Sequence, residues 1–320
     1  MIVRTINIVK ESIGVNAAFE YSDIKPYIKR AERNFLKKLI GIPQYDLFNA
    51  TAQPSSGKVF EALELAQDAV SNLAYYLGLP TLSVQVSSSG FFVPENENTK
   101  PISDKQFKEL QRSFKSAGHE ALDELLDFME TNKDDFSEWI SDASYTEFKD
   151  LLVYNTTTFQ NEFNINYSRQ TFLALAPNIK IVEDQFIKGP VQDALFTSLK
   201  ADQAEQLRKD VKALLIKSIV AFTIHKTMDN GLFIVDANGM HMRFDVLPYE
   251  KTVTNINLKI NDFIINTKKN KLNEGEEYLK KAMAIIADTA NAAVFSEYTL
   301  PVSKVDKVGL KTTKSIVGML

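Results

Sequence analysis

The feature that most constrains this chain is a line written nearly twice. IKPYIKRAERNFLK runs from Ile24 to Lys37, and LAPNIKIVEDQFIK runs from Leu175 to Lys188. Set against each other, the two lines pair Pro26 with Pro177, Ile28 with Ile179, Lys29 with Lys180, Glu32 with Glu183, Phe35 with Phe186 and Lys37 with Lys188. Six identities in fourteen positions stand against about one from composition alone. The spacing is helical: Ile24, Ile28, Ala31 and Phe35 make one stripe, and Leu175, Ile179, Val182 and Phe186 repeat it. Ser22 or Asp23 suits the first N-cap, and Pro177 suits the start of the second helix with TFLAL as its lead-in. The bland reading is that any two amphipathic helices look alike.

The order of the following segments argues against that blandness. GIPQYDLF (41–48) and GPVQDALF (189–196) each open on Gly and close on Leu-Phe. Helical periodicity then spans Val59–Leu77 and Glu205–Met228. It gives way to LSVQVSSSGFFV (82–93) and GLFIVDANGMHMRF (231–244), which read as β-hairpins turning at Gly90 and Gly239. A long helix follows each. Ser103–Met129 opens with the capping-box pattern Ser103 to Gln106, and Asn257–Phe295 carries a break signal near Asn273–Gly275. The expected fold is therefore mainly α with small β-hairpins, in two structurally related halves, an internal duplication of helix–turn–helix–hairpin–helix. The expected organisation is a first repeat module at 1–131, a linker with a short helical insert at 132–165, a second module at 166–300 and a C-terminal tail at 301–320.

Composition limits the chemistry. The chain has 320 residues, no cysteine and a formal net charge of −4. Thiolate chemistry and disulfides are excluded, and a general nucleic-acid binder would carry a basic excess. The opening MIVRTINIVKESIG lacks the pattern of a secretory signal, and no apolar run is long enough to span a membrane. Three histidines, His119, His225 and His241, show no metal-ligand spacing. PSSGKV (54–59) lacks the upstream Gly and the Ser/Thr of a phosphate loop. The acid pairs of NKDDFSEW and LNEGEEYL and the lysines of TKKNKL (267–272) read as solvated surface. The expectation is no catalytic residue, no metal and no cofactor.

The segments FLALAPNIKIVEDQFIKGPVQDAL and GLFIVDANGM, with EYSDIKPYIKRAERNFLKKLIG in the first half, resemble an uncharacterised family from phages and prophages of Bacteroidetes, similar to head–tail connector or neck proteins. The two lines differ where Glu183-Asp184 stands against Glu32-Arg33. The resemblance implies a non-enzymatic virion protein made in the host cytoplasm and assembled in the neck. It would form a twelve-fold ring that contacts itself, the portal and other neck or tail proteins. No membrane is implied, and nucleic acid only incidentally, through the ring lumen. Candidate inter-subunit contacts are Ser87, Ser88, Gly90, Phe91 and Phe92, then Asp236, Asn238 and Gly239, and in the tail Lys304, Lys307, Lys311 and Lys314. The alternatives are a scaffold or packaged cargo protein of the same particle, and a carboxylate-dependent hydrolase.

Overall fold

A computed structural model describes the chain except for residues 15–19, 84, 88–89, 93–102, 229–232, 237–238, 243–257 and 301–320. Ser88, Asn238, Lys304, Lys307, Lys311 and Lys314 lie outside the described residues.

The first core is built from α1 (Ile6–Ile13), α2 (Tyr21–Ala31), α3 (Lys37–Phe48), α4 (Gly57–Leu82), α5 (Asp104–Thr131), α6 (Ser137–Ile140) and α7 (Ala143–Phe148). Its buried apolar residues run from Ile2 to Trp139. The second is built from α8 (Thr156–Glu162), α9 (Arg169–Val182), α10 (Lys188–Val191), α11 (Asp193–Lys200), α12 (Gln206–Thr227) and α13 (Leu258–Ile286). Its buried residues run from Leu152 to Phe295. Trp139 and Phe136 belong to the first core, while Leu152, Val153 and Phe159 belong to the second.

The fold-class expectation is corrected: the architecture is helical. Among the described residues extended pairing is confined to two antiparallel ladders, Gln85–Ser87 with Gly90–Phe92 and Phe233–Asp236 with Gly239–Met242. Among the described residues each has two strands and joins no other. A lone pair of such short strands is marginal in water, and helices supply both cores. The described backbone of Ser87, Gly90, Phe91, Phe92, Asp236 and Gly239 lies in these ladders. A duplication of the whole module is not established either. What recurs is local, and the flanks differ. In the first half one helix runs from Lys37 to Phe48 through a kink at Gly41 (φ 73°). In the second the chain breaks into α10 and α11 at Gln192 (φ 70°), three residues past the glycine expected to stop it.

The local recurrence is a π turn. Glu32–Leu36 follows α2 and Glu183–Ile187 follows α9, and each closes with a backbone bond five residues long, Lys37 N–H to the Glu32 carbonyl and Lys188 N–H to the Glu183 carbonyl. A π turn adds about one residue to the helical period. It rotates the stripe, so Leu36 and Ile187 become fully buried while Phe35 and Phe186 are only partly so. Phe35 meets His119 edge-on at 5.8 Å between centroids, and Phe186 stacks on Phe222 at 4.6 Å.

Two further expectations shift. α9 starts at Arg169, capped by Ser168, so TFLAL is helix and Pro177 sits mid-helix on the exposed face. The carbonyl that Pro177 cannot bond belongs to Leu173, itself exposed, so the missing bond falls on the outer face. α13 runs unbroken through Gly275, because that glycine lets α12 approach closely. Ser218 donates to the Gly275 carbonyl at 2.8 Å, and a Cβ there would sit 2.7 Å from the Phe222 ring. The capping box of α5 forms as the spacing predicts, with Gln106 N–H donating to Ser103 Oγ and Ser103 N–H donating to Gln106 Oε1.

Gly118 plays the matching part between α4 and α5. A Cβ there would lie 2.5 Å from Leu73 Cγ and 3.2 Å from the Leu73 backbone nitrogen. Because a main-chain atom is involved, a rotamer change alone does not clear the contact. Gly118→Ala is expected to destabilise the first core by about 1–3 kcal/mol, read as a lowered urea midpoint. An unchanged midpoint would mean that the helices can part freely.

Candidate functional site

The interior places two glutamates where an apolar side chain would be the default. Glu32 opens the first π turn and is 2% exposed; Glu183 opens the second and is 1% exposed. Each reaches across to a strandless segment preceding the helices it serves. Glu32 Oε1 accepts from the Ile2 backbone N–H at 2.7 Å, and its Oε2 accepts from the Tyr45 hydroxyl at 2.9 Å. Glu183 Oε1 accepts from the Leu152 backbone N–H at 2.6 Å, and its Oε2 lies 3.8 Å from Lys200 Nζ. Burial drives the Glu183 carboxyl up to about 7, against the pull of the Leu152 N–H and of Lys200 and Lys188. Burial, and then the Glu32 charge, raises the Tyr45 hydroxyl above its ordinary range. Ile2 and Leu152 are themselves core residues, so each carboxylate pairs a backbone donor that water cannot reach. This is a structural anchor: a hydrogen bond to a buried carboxyl that fixes where a distant segment enters the core.

The second arrangement is the seam along α5. Asp123, Asp127 and Glu130 lie on one line of that helix. Asp123 pairs with Arg169, which is 6% exposed at the start of α9. Asp127 accepts from Thr157 Oγ1 at 3.2 Å and from Asn155 Nδ2 at 3.4 Å. Glu130 pairs with Lys149 at 2.8 Å and with Lys133 at 3.1 Å, and Lys133 also reaches Asp202 at 3.0 Å. Burial raises the Asp127 carboxyl, with the Thr157 hydrogen bond opposing. Burial lowers Lys133, but its bonds to Asp202 and Glu130 outweigh that and leave it raised. The seam thus joins the two cores through paired charges.

His119 is buried at this seam; desolvation, then the charges of Arg169 and Lys115, lower it to about 4. His225 Nδ1 lies 2.9 Å from the Lys268 carbonyl, and His241 lies in the second ladder opposite Ile234. His119 lies on α5 and His225 on α12, helices of different cores. Asp134 and Asp135 of NKDDFSEW are exposed beside an open surface cleft of about 440 Å³ lined by residues 130–135. Glu274 and Glu277 of LNEGEEYL pair with Lys271 and Lys281. Among the described residues no group of three or more His, Asp or Glu is placed to hold a metal ion, and no helix is long and apolar enough to cross a membrane.

Sequence reasoning aligned Glu32 with Glu183 without singling either out. The available signal was an acid recurring at the same point of an apolar stripe. Arg169 carried no such signal, since its partner Asp123 is remote in sequence.

A family of unknown function, DUF6712, matches residues 36–149, about a third of the chain. The match begins inside the first π turn and ends with α7, so it covers much of the first core. No curated protein and no solved structure matches the chain.

Proposed function

We propose that this chain is a non-enzymatic structural protein of a phage-like particle, a twelve-membered ring adaptor of the neck that joins the portal to the tail. The observation that carries this reading is an apolar line left outside a chain whose two cores are already closed. Leu173 (45% exposed), Pro177 and Ile181 (38% exposed) follow one another at i, i+4 and i+8 on the outer face of α9. A neighbouring copy is the occupant such a line suits, because ring contacts are heterologous and set one surface against a different one. The interior glutamates support the same reading, since the most buried carboxylates are committed to holding backbone.

The test is quantitative mass spectrometry of DNA-filled particles from the host that encodes the chain. The chain is expected at a fixed, portal-matched stoichiometry, and Leu173→Glu combined with Ile181→Glu is expected to fold yet be lost from particles. Absence from mature particles would assign a scaffold, and variable copy number would assign cargo. Either overturns the adaptor.

A further inference from the structure

The helix formed by α2, its π turn and the start of α3 carries a ridge of cations. Lys25, Lys29, Arg30, Arg33 and Lys38 are all exposed, and Lys37 is half-buried with its Nζ 4.0 Å from the centre of the Tyr45 ring. The π turn matters here. Its extra residue turns Lys37 back toward the line of Lys29 and Arg33, so the cations stay on one side of the helix. None of the five exposed cations forms an ion pair with a described residue. The acids nearest in sequence are engaged: Glu32 is buried on Ile2 and Tyr45, and Glu20 and Asp23 cap the helix start.

The equivalent helix of the second half shows that this is not a property of the shared line. Its Lys180 pairs with Asp150 and its Lys188 with Asp184. Its outer face presents Leu173 and Ile181 where the first presents Ser22 and Arg30.

We propose that this ridge binds the phosphate backbone of double-stranded DNA without reading sequence. From Lys25 to Lys38 the ridge spans about 20 Å, with Lys25, Lys29 and Arg33 about 6 Å apart along one line and Arg30 and Lys38 about 12 Å apart beside it. That is a rigid, regular row of charge suited to a rigid, regular row of phosphates. No large hydrophobic side chain between Tyr21 and Gly41 is exposed, and the nearest that is, Ile42, lies past the kink at Gly41. A protein partner would call for an apolar centre inside the polar rim, and a single strand would call for aromatic stacking platforms. The overall charge of −4 does not oppose this, because screening confines each charge to about 10 Å at 0.1 M salt. The inference does not depend on the ring reading.

The test is equilibrium binding of the full chain to a mixed-sequence DNA duplex across a salt series starting at 50 mM, with Lys25→Gln, Lys29→Gln and Arg33→Gln combined as the variant. These side chains are exposed, so the melting temperature is the control for folding. The wild-type chain is expected to bind with a linear loss of affinity against log salt. The variant is expected to bind at least about tenfold more weakly at 50 mM, with a slope smaller by about 2 to 3. Three results would overturn the inference. One is no duplex binding at 50 mM. Another is an unchanged slope in the variant, as when Lys304→Gln, Lys307→Gln, Lys311→Gln and Lys314→Gln abolish binding instead. The third is capture of poly-glutamate in preference to DNA, which would assign an acidic protein partner.

Discussion

Replacing Glu32 by alanine is expected to destabilise the first core by about 3–5 kcal/mol, a large share of the 5–15 kcal/mol typical of a folded domain. Two groups lose their partner at once, the Ile2 N–H and the Tyr45 hydroxyl, and neither gains water, because both residues are buried. Glu32→Gln should cost far less, about 1 kcal/mol. Its amide oxygen still accepts from Ile2, and its amide N–H can donate to the Tyr45 oxygen. The single tryptophan makes the effect readable, since Trp139 is fully buried in the first core. The urea midpoint followed by its fluorescence should fall in the order wild type, Gln, Ala. Equal midpoints for Gln and Ala would show that the carboxylate contributes through its volume and not as an acceptor.

Stability should depend on pH through Glu183 with an unusual sign. Its carboxyl titrates at about 7 in the folded chain against 4.5 when free. Below pH 4.5 both states hold the proton and the group is neutral in effect. Between 4.5 and 7 the folded state keeps a proton that the unfolded state has released, so stability falls as pH rises. Above 7 the loss is complete, about 3 kcal/mol. His119 acts oppositely. Lowered from 6.5 to about 4, it is held neutral in the folded chain while the unfolded chain protonates, so stability falls as pH drops from 6.5 to 4. In the overlap between 4.5 and 6.5 the two slopes oppose, and the wild-type curve should be flatter than either alone. Glu183→Gln keeps an acceptor for Leu152 and removes the titration. Its stability relative to wild type should rise by about 2–3 kcal/mol from pH 4.5 to pH 8, measured by urea unfolding at a series of pH values. A pH-independent difference would place the ionisation of Glu183 outside the folding equilibrium.

These effects show how far the residues could be read in advance. Helix periodicity located α4, α5 and α12, because long amphipathic segments repeat their burial every few residues. The stripe through Ile24, Ile28 and Ala31 was legible; its continuation was not. A π turn is a backbone event driven by tertiary fit, and it moved the buried position from Phe35 to Leu36. Gly275 read as a breaker because composition cannot distinguish a helix end from a site where Phe222 leans on the backbone. The expected hairpins overstated the extended content: the pairings at 85–92 and 233–242 are isolated ladders, and neither adds a layer to the helical architecture. Glu32 and Glu183 were visible as a pair but not as anchors, since the N–H groups of Ile2 and Leu152 that they bond lie about thirty positions upstream. The seam through Asp123 and Arg169 left no local pattern. The basic ridge was written in the line from Ile24 to Lys37 itself, yet only the pairing of Lys180 and Lys188, set against exposed cations that form no ion pair with a described residue, separates it from an ordinary solvated face.

The central claim is that each core is closed by a buried glutamate gripping a backbone amide. Hydrogen exchange resolved at single amides tests it most directly. The Ile2 and Leu152 amides should exchange only with unfolding of their own cores, as slowly as the amides of Ile28 and Ile179. Exchange at the rate of exposed amides while the cores stay intact would contradict the account, because Glu32 and Glu183 would then be holding nothing.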